Sequence, residues 1–223
     1  MSGAATNARR RSRARSASTT RRRSRARVRA GRRRLAILSA VVLGVTAAGL
    51  LAVRGPVDDA IREITLPLRH EDVIRQQARD KGLDPALIAA VCYQESKFQD
   101  RTSHAGARGV MQLLPSTADY IARKSGGVKF EHGDLADPQI NIAYGSWYLR
   151  YLLDHYDGNE RLAIAAYNAG ETNVDKWAAD AGGPDKFTAD EDIPFPETRE
   201  YVSSVEQKQD EYRKNYAGEL GIR

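Results

Sequence analysis

The chain has 223 residues, enough for one domain with a sizeable core plus extensions. Its single cysteine, Cys92, excludes an intramolecular disulfide and a cysteine-rich metal site. The formal net charge of +6 is segregated, because residues 1–34 hold fourteen arginines and no acid, which leaves 21 basic and 29 acidic residues in the remainder.

The N-terminal part of the chain is predicted to be a tail followed by a membrane anchor. Residues 1–34 consist mostly of Arg, Ser and Ala and predict a disordered tail. Residues 35–53 carry no charge, and as a helix they would span about 28 Å, close to the ~30 Å hydrocarbon core of a bilayer. The arginines before this segment predict a cytoplasmic N-terminus and an exported body at the cytoplasmic membrane. We expect the tail to set topology and to contact anionic lipid headgroups, and we do not expect nucleic acid as a partner.

A cleaved signal peptide is the alternative for this region. Residues 46–48, Thr-Ala-Ala, fit a small-residue cleavage site, and the pair Arg32 and Arg33 is similar to a twin-arginine signal. The long leader and the long apolar run favour a retained, single-pass anchor. Residues 54–70, with Gly55, Pro56 and Pro67, are predicted to be a linker, 71–216 the domain and 217–223 a tail.

The domain is predicted to be compact and mainly α, with a minor β element. Two Asp-Pro pairs, at 84–85 and 137–138, are strong helix starts with Asp as the N-cap and Pro at the first helical position. Glycines at 82, 126 and 170 are typical helix ends. Helices are therefore predicted over 71–82, from 85, over 114–127, over 138–156, over 160–169, around 174–179 and from 196. A small hairpin is predicted over 126–135.

Glu95 lies in the last turn of the helix that starts at Pro85. It continues the apolar stripe that contains Ile88 and Val91, and it faces the negative end of the helix dipole. Burial and the dipole both disfavour a carboxylate, so we expect a raised pKa, as a general acid requires. The alternative is an ordinary glutamate that turns to solvent at a helix end.

Three downstream segments accompany Glu95. They are HAGARGVMQLLPSTA (104–118), in which Gly106 and Gly109 permit a sharp turn, AIAAYNAG (163–170) and PFPETREYV (194–202). The order ES-x-F, G-V-M-Q, A-Y-N-A-G and E-T-R-x-Y-V resembles the Slt-type lytic transglycosylases, which share a lysozyme-like fold. The resemblance runs from about Val73 to Tyr216, and one departure is His104, where that family often has proline.

The resemblance implies a peptidoglycan lytic transglycosylase, a carbon–oxygen lyase of class EC 4.2.2.-. Such enzymes cleave the β-1,4 bond between N-acetylmuramic acid and N-acetylglucosamine without water and leave 1,6-anhydromuramoyl ends. It implies that Glu95 acts first as acid and then as base. No cofactor and no metal are expected, since the four histidines show no ligand spacing.

The resemblance also implies roles for seven further residues. One orders the catalytic turn, one holds the carboxyl of Glu95, and the others contact substrate. In chain order they are Ser96 (turn), Ser103, Met111, Gln112, Tyr167, Asn168 (substrate) and Tyr201 (carboxyl). Two motif acids, Glu197 and Glu200, are predicted on the outer face of their helix, which fits a mechanism with one carboxyl group. Asp100 has no assigned role.

Two alternative functions stay open. A muramidase similar to goose-type lysozyme would hydrolyse the same bond, and a non-catalytic peptidoglycan-binding scaffold would keep the cleft without the reaction. Exo or endo action, stem-peptide preference and protein partners stay undetermined.

Overall fold

The computed structural model describes residues 39, 41, 43–46, 60–126 and 130–222. The chain divides into two compact units, Met1–Ile61 and Arg62–Arg223. Of the predicted anchor, residues 39, 41 and 43–46 are described and are helical, whereas the rest of 35–53 and the predicted tail 1–34 lie outside the described residues. Among the described residues, no helix combines the length and the apolar character needed to cross a membrane.

The second unit is built of helices joined by turns and loops. They are α1 (Glu71–Lys81), α2 (Pro85–Ser96), α3 (Pro115–Ser125), a 3-10 helix (His132–Ala136), α4 (Pro138–His155), α5 (Glu160–Ala169), α6 (Glu171–Asp180), α7 (Ala189–Asp192), α8 (Pro196–Asn215) and α9 (Ala217–Leu220). Helical residues also occupy 60–65. In the described part of this unit, β structure is limited to single bridges that pair Arg108 with Thr102 and with Leu113.

The predicted helix starts are confirmed, and local hydrogen bonds explain them. The side chain of Asp84 accepts a hydrogen bond from the Ala86 amide at 2.8 Å, and Asp137 does the same for Gln139 at 2.8 Å. Each bond satisfies a backbone donor that the first turn of a helix leaves unpaired. Gly82 ends α1 with φ +64°, a left-handed conformation that glycine adopts without steric cost.

Helix α2 lies at the centre of the core. Its residues from Ala86 to Cys92 are all buried, and it packs against α8, while α5 packs against α4 and α8. A helix that is apolar on all sides is suited to such a position. Cys92 is fully buried. The site residue Glu95 is therefore carried on the most enclosed helix of the unit.

The prediction of a hairpin over 126–135 is wrong for those residues of this range that the structure describes. Residues His132–Ala136 form a 3-10 helix, and residues 127–129 lie outside the described residues. The Glu131 amide donates to the Asp134 carboxylate at 2.9 Å, a local bond that competes with strand pairing. The minor β element lies instead in the turn around Arg108.

Packing of the second unit extends into the predicted linker 54–70. Leu66 and Leu68 are only 5% and 8% exposed and belong to the main core. The hydroxyl of Tyr216 donates to the Leu66 carbonyl at 2.7 Å, and the hydroxyl of Tyr212 donates to the Pro67 carbonyl. The compact unit accordingly begins at Arg62.

Candidate active site

Glu95 lies where α2 ends and the chain reverses. The two residues that follow Ser96 are both left-handed although neither is glycine, with φ +54° at Lys97 and +62° at Phe98. The buried ring of Phe98 meets the ring of Tyr212 edge-on, with centroids 6.2 Å apart. Tertiary packing thus holds an unfavourable backbone conformation two residues after Glu95, as is common at functional sites.

The carboxyl group of Glu95 is shielded and is held by a tyrosine. The hydroxyl of Tyr201 on α8 donates to Glu95 Oε1 at 2.6 Å. Burial raises the pKa of Glu95 to about 7, although the hydrogen bond from Tyr201 and the positive charge of Arg101 both lower it. The raised pKa that the sequence predicts is confirmed. Below neutral pH the carboxyl is mostly protonated and can give its proton to a bound molecule.

Tyr201 stays a hydrogen-bond donor across the same pH range. Its side chain is buried, and burial together with the neighbouring Glu95 raises the pKa of Tyr201 well above its usual value. A neutral phenol keeps the proton that it donates to Glu95 Oε1. The pair therefore fixes the orientation of Glu95 in both of its protonation states.

Asn141, which the sequence analysis missed, supports the turn opposite Glu95. Its fully buried side chain accepts a hydrogen bond from the Met111 amide at 2.8 Å, and it donates to the carbonyls of Arg108 and Leu135 at 2.9 and 3.0 Å. Every polar atom of the amide is thereby used. The sequence did contain a signal for this role, because an asparagine lies in the apolar stripe of α4. A buried amide needs hydrogen-bond partners, so such a residue is expected to hold a neighbouring segment.

Ser96 ties this turn to the end of α2. Its hydroxyl oxygen lies 2.7 Å from the Val110 carbonyl and 3.1 Å from the Cys92 carbonyl. The residue is 1% exposed, so its side chain has no access to a bound substrate. The contact with Val110 is the kind that orders the turn.

Met111 does not reach the cleft. The expectation that its side chain packs against a sugar is corrected, because Met111 is 0% exposed and is absent from the residues that line the cavity. Its sulfur lies where Gly145 of α4 provides room, since a β-carbon at Gly145 would approach that sulfur to 2.4 Å. The side chain belongs to the core beneath the turn.

Five of the predicted site residues line one cavity of about 500 Å³. The structure brings together Glu95, Ser103, Gln112, Tyr167 and Asn168. The same cavity is also lined by residues for which the sequence predicts no role, among them Thr117 and Tyr148. Asp100 is exposed and is not among the residues that line this cavity.

The polar side chains of this cavity are held by bonds that leave other atoms available. Gln112 Nε2 donates to the carbonyls of Arg101 and Gly109 at 2.9 and 2.8 Å, so its oxygen can accept from a ligand. Asn168 Oδ1 accepts from the Thr198 hydroxyl at 2.9 Å, which leaves its amide nitrogen to donate. Oriented amides and hydroxyls beside a protonated carboxyl suit a polyhydroxylated, amide-bearing ligand.

Two further acids, Glu197 and Glu200, lie on the outer face of α8 as predicted, and both also line space near Glu95. Glu197 lines the cavity that contains Glu95, and Glu197 and Glu200 both line a second cavity of about 300 Å³ that Glu95 and Tyr201 also line. Both glutamates are exposed. Helical periodicity placed them away from the core correctly, but the cleft opens at the first turn of α8, where an outer residue faces it.

Within the described ranges, one group of side chains has its ligand atoms close enough together to hold a metal ion. It consists of His155, Glu171 and Asp175, whose ligand atoms lie within 4.8 Å of one another. His155 Nε2 and Asp175 Oδ1 are already paired at 2.9 Å, and none of the three lines the cavity around Glu95. The pairing of His155 on α4 with Asp175 on α6 explains why these side chains lie close together.

Comparison with known proteins identifies relatives for most of this unit. The family model described as "Transglycosylase SLT domain" matches residues 72–189. The soluble lytic murein transglycosylase of Salmonella typhimurium is 33% identical over 160 residues, covering 70% of this chain and 25% of that protein. The membrane-bound lytic murein transglycosylase C of Glaesserella parasuis is 32% identical over 171 residues, covering 65% of this chain and 46% of that protein.

Solved structures agree with this assignment. An inactive mutant of lytic transglycosylase Slt from Pseudomonas aeruginosa matches with a TM-score of 0.64 and 35% identity, covering 72% of this chain and 26% of that one. The 70 kDa soluble lytic transglycosylase from Escherichia coli matches with a TM-score of 0.64 and 32% identity over the same shares. The unit therefore has the mainly helical, lysozyme-like fold of these proteins, and the chain spans less than half the length of the relatives named here.

Proposed function

The chain belongs to the transglycosylase SLT domain family, and from this premise we propose that it cleaves peptidoglycan glycan strands as a lytic transglycosylase. The observation that carries the proposal is Glu95, a shielded carboxyl with a pKa of about 7 that Tyr201 orients at the wall of a cleft. In the proposed reaction Glu95 protonates the oxygen of the β-1,4 bond between N-acetylmuramic acid and N-acetylglucosamine. The carboxylate then accepts the proton of the muramoyl C6 hydroxyl, whose oxygen bonds to the anomeric carbon.

We propose that the cleft residues hold the two sugars around this bond. Ser103, Gln112, Tyr167 and Asn168 line the cavity with Glu95 and present hydroxyl and amide groups that can bind hydroxyl and N-acetyl groups. Ser96 and Asn141 act through the turn that carries Gln112, and Tyr201 acts through Glu95. No step of this scheme draws on a metal or a cofactor.

Product analysis tests the proposal. Purified cell wall is digested with the full chain, and the released muropeptides are examined by mass spectrometry. We expect 1,6-anhydromuramoyl ends, each lighter by one water than a reducing end. Release of reducing ends alone would contradict the proposed reaction, and no release at all would support a non-catalytic scaffold.

Hydrolysis of the same bond is a second candidate, and Glu197 is the observation that favours it. Hydrolytic glycosidases use two carboxyl groups, and Glu197 shares the cavity with Glu95. If Glu197 activates water, Glu197→Gln abolishes the release of reducing ends. If the transglycosylase proposal holds, the same change leaves the anhydro product in place.

Tyr201→Phe should shift the pH profile of activity upward. Glu95 must be protonated to act as acid, so activity falls as pH rises through a pKa of about 7. Removing the hydroxyl removes a bond that favours the carboxylate, which raises the pKa of Glu95 and moves the alkaline limb to higher pH. We also expect activity to fall about tenfold or more, because the carboxyl loses its orienting partner.

The pH profile of anhydro-product release measures this effect. Tyr93→Phe is the matched control, because Tyr93 lies on the same helix as Glu95 but donates to the Thr65 carbonyl at 3.0 Å, outside the cleft. An alkaline limb of Tyr201→Phe that stays in place or moves to lower pH would refute the assigned role of Tyr201.

We further propose that residues 35–53 anchor the chain in the cytoplasmic membrane, with the N-terminus inside, the domain outside and residues 54–61 as the linker. The support is the uncharged run of nineteen residues and the arginines before it.

After carbonate extraction the full chain should remain with the membrane fraction. Val41→Arg combined with Val45→Arg should release it, since a buried arginine costs about 2.5–3.5 kcal/mol. Release of the unaltered chain would indicate a cleaved leader.

A further inference from the structure

Helix α8 presents one hydroxyl group to each of two helices that end at the cleft. Thr198 and Tyr201 are three residues apart and therefore lie on the same face of α8. The hydroxyl of Tyr201 donates to Glu95, the last residue but one of α2. The hydroxyl of Thr198 donates to Asn168, the last residue but one of α5. One face of α8 thus holds the final turns of two other helices.

Thr198 is placed to act on Asn168 and not on a bound molecule. It is 3% exposed, and it lines neither of the two cavities that Glu95 lines. Its hydroxyl lies 2.9 Å from Asn168 Oδ1 and so joins the first turn of α8 to the last turn of α5. A buried hydroxyl needs a partner of this kind, because an unpaired polar group in the interior is costly.

Asn168 lies at the junction of the two cavities. It lines both the cavity of about 500 Å³ and the cavity of about 300 Å³, as Glu95 does. Asn168 is exposed, so its amide can reach a bound strand. Because Glu95 borders both spaces, the bond that it would cleave lies where they meet, beside this amide.

The orientation of the Asn168 amide decides what it recognises. Its oxygen accepts and its nitrogen donates, while the two ends have nearly the same shape. In the cleft, the carboxyl oxygens of Glu95 and Glu197 favour an N–H group over an amide oxygen. Since Oδ1 is bonded to Thr198, Nδ2 is the end that is available to the cleft. Asn168 in this orientation recognises an oxygen acceptor.

We propose that Thr198 is a positioning residue, which fixes the Asn168 amide so that Nδ2 donates to an oxygen of the substrate beside the bond that Glu95 cleaves. The inference rests on the proposed function, because it assumes that a glycan strand occupies the cleft. Without the Thr198 hydroxyl the amide is free to turn over, and its oxygen then faces the same substrate oxygen. Thr198 thus contributes to recognition without touching the substrate.

A double-mutant cycle between Thr198 and Asn168 tests this role in the full chain. Thr198→Val keeps the shape of the side chain and removes the hydroxyl, so the initial rate of glycan-strand cleavage should fall about three- to tenfold. Thr198→Ser keeps a hydroxyl and should retain most of the rate. In a chain that carries Asn168→Ala, Thr198→Val should cause no further loss, because the amide that Thr198 positions is gone.

Asn168→Asp tests the direction of the hydrogen bond. The new carboxylate still accepts from Thr198, but it has no N–H group to offer to the cleft, so the rate should fall at least as far as in Asn168→Ala. Rates are compared at the plateau of each pH profile, since an added carboxylate beside Glu95 raises the pKa of Glu95. Full activity of Asn168→Asp at that plateau would overturn the proposal.

Thr188→Val is the matched control. Thr188 also donates its hydroxyl to a neighbouring side chain, Asp192 Oδ2 at 3.0 Å, and it lines neither cavity, so the rate should stay unchanged. Thermal unfolding of each variant verifies that the domain is intact. An equal loss from Thr198→Val with and without Asn168→Ala would refute the positioning role, because Thr198 would then act only on the packing of α8.

The cycle counts anhydro and reducing ends together, so it does not depend on which product forms. Anhydro ends from the unaltered chain, with losses that add up across the cycle, would overturn the inference and keep the proposed reaction. Reducing ends with losses that do not add up would overturn the reaction and keep the inference. No cleavage by the unaltered chain would overturn both.

Discussion

Glu95→Gln should reduce the release of anhydro-muropeptides by about a thousandfold or more, because the chain loses both its acid and its base in one change. The amide cannot protonate the glycosidic oxygen, and it cannot accept the C6 hydroxyl proton. The measurement is the initial rate of product release from purified wall, followed by mass spectrometry at pH 6, where Glu95 in the unaltered chain is mostly protonated.

The same change should leave the fold intact. Glutamine has the shape of the protonated glutamic acid, and its oxygen can still accept the hydrogen bond from Tyr201. Glu71→Gln, at an exposed position in the first turn of α1, is the matched control for loss of a carboxylate and should retain full activity. If turbidity clearance and product release survive Glu95→Gln, the assignment of Glu95 is wrong.

Gly109→Ala should destabilise the domain by about 3–5 kcal/mol. Gly109 has φ +75°, and a β-carbon there would lie 2.2 Å from Asn141 Nδ2 and 2.4 Å from the Leu135 carbonyl oxygen. The left-handed conformation alone costs about 1 kcal/mol with a side chain. The clash adds the loss of buried hydrogen bonds made by Asn141, at about 1–3 kcal/mol for each group left unpaired.

Gly106 provides the control for this argument in the same turn. It has φ +83°, but a β-carbon there meets no atom within 4 Å, so Gly106→Ala carries only the conformational cost. Urea unfolding of both variants should show a deficit for Gly109→Ala that is several times larger. Equal deficits would mean that contact with Asn141 and Leu135 does not decide the stability of the turn. Activity of Gly109→Ala should fall as well, because Asn141 also positions Met111 and the adjacent Gln112.

The sequence predicts the elements whose signals are local. Asp84 with Pro85 and Asp137 with Pro138 specify helix starts through bonds to amides two residues away, and Gly126 ends α3 with φ +81°. The raised pKa of Glu95 also follows from its place in an apolar stripe at a helix end. These features depend on neighbours within one or two helical turns, which the sequence displays directly.

Local sequence patterns do not predict contacts between segments that are distant along the chain. Asn141 accepts a hydrogen bond from the Met111 amide, some thirty residues earlier in the chain. The residues around Asn141 give no indication of which segment it contacts. Met111 is buried because Gly145 leaves room for its side chain. Its position in the motif suggests a contact with a sugar, but the packing keeps the side chain out of the cleft. Glu197 lies on an outer face that happens to border the cleft, a relation that only the arrangement of α8 against α5 determines.

The carbonyls of Leu66 and Pro67, held by Tyr216 and Tyr212, determine how the domain can be cut from the chain. The family match covers residues 72–189, yet the leucines that complete the core lie before it and Tyr201, which holds Glu95, lies after it. A fragment limited to residues 72–189 would lack Leu66 and Leu68, which complete the core. It would also lack Tyr201, so Glu95 would lose its hydrogen bond. We therefore expect a fragment that folds on its own to reach from Arg62 through α9, so fusion partners or tags belong outside those limits.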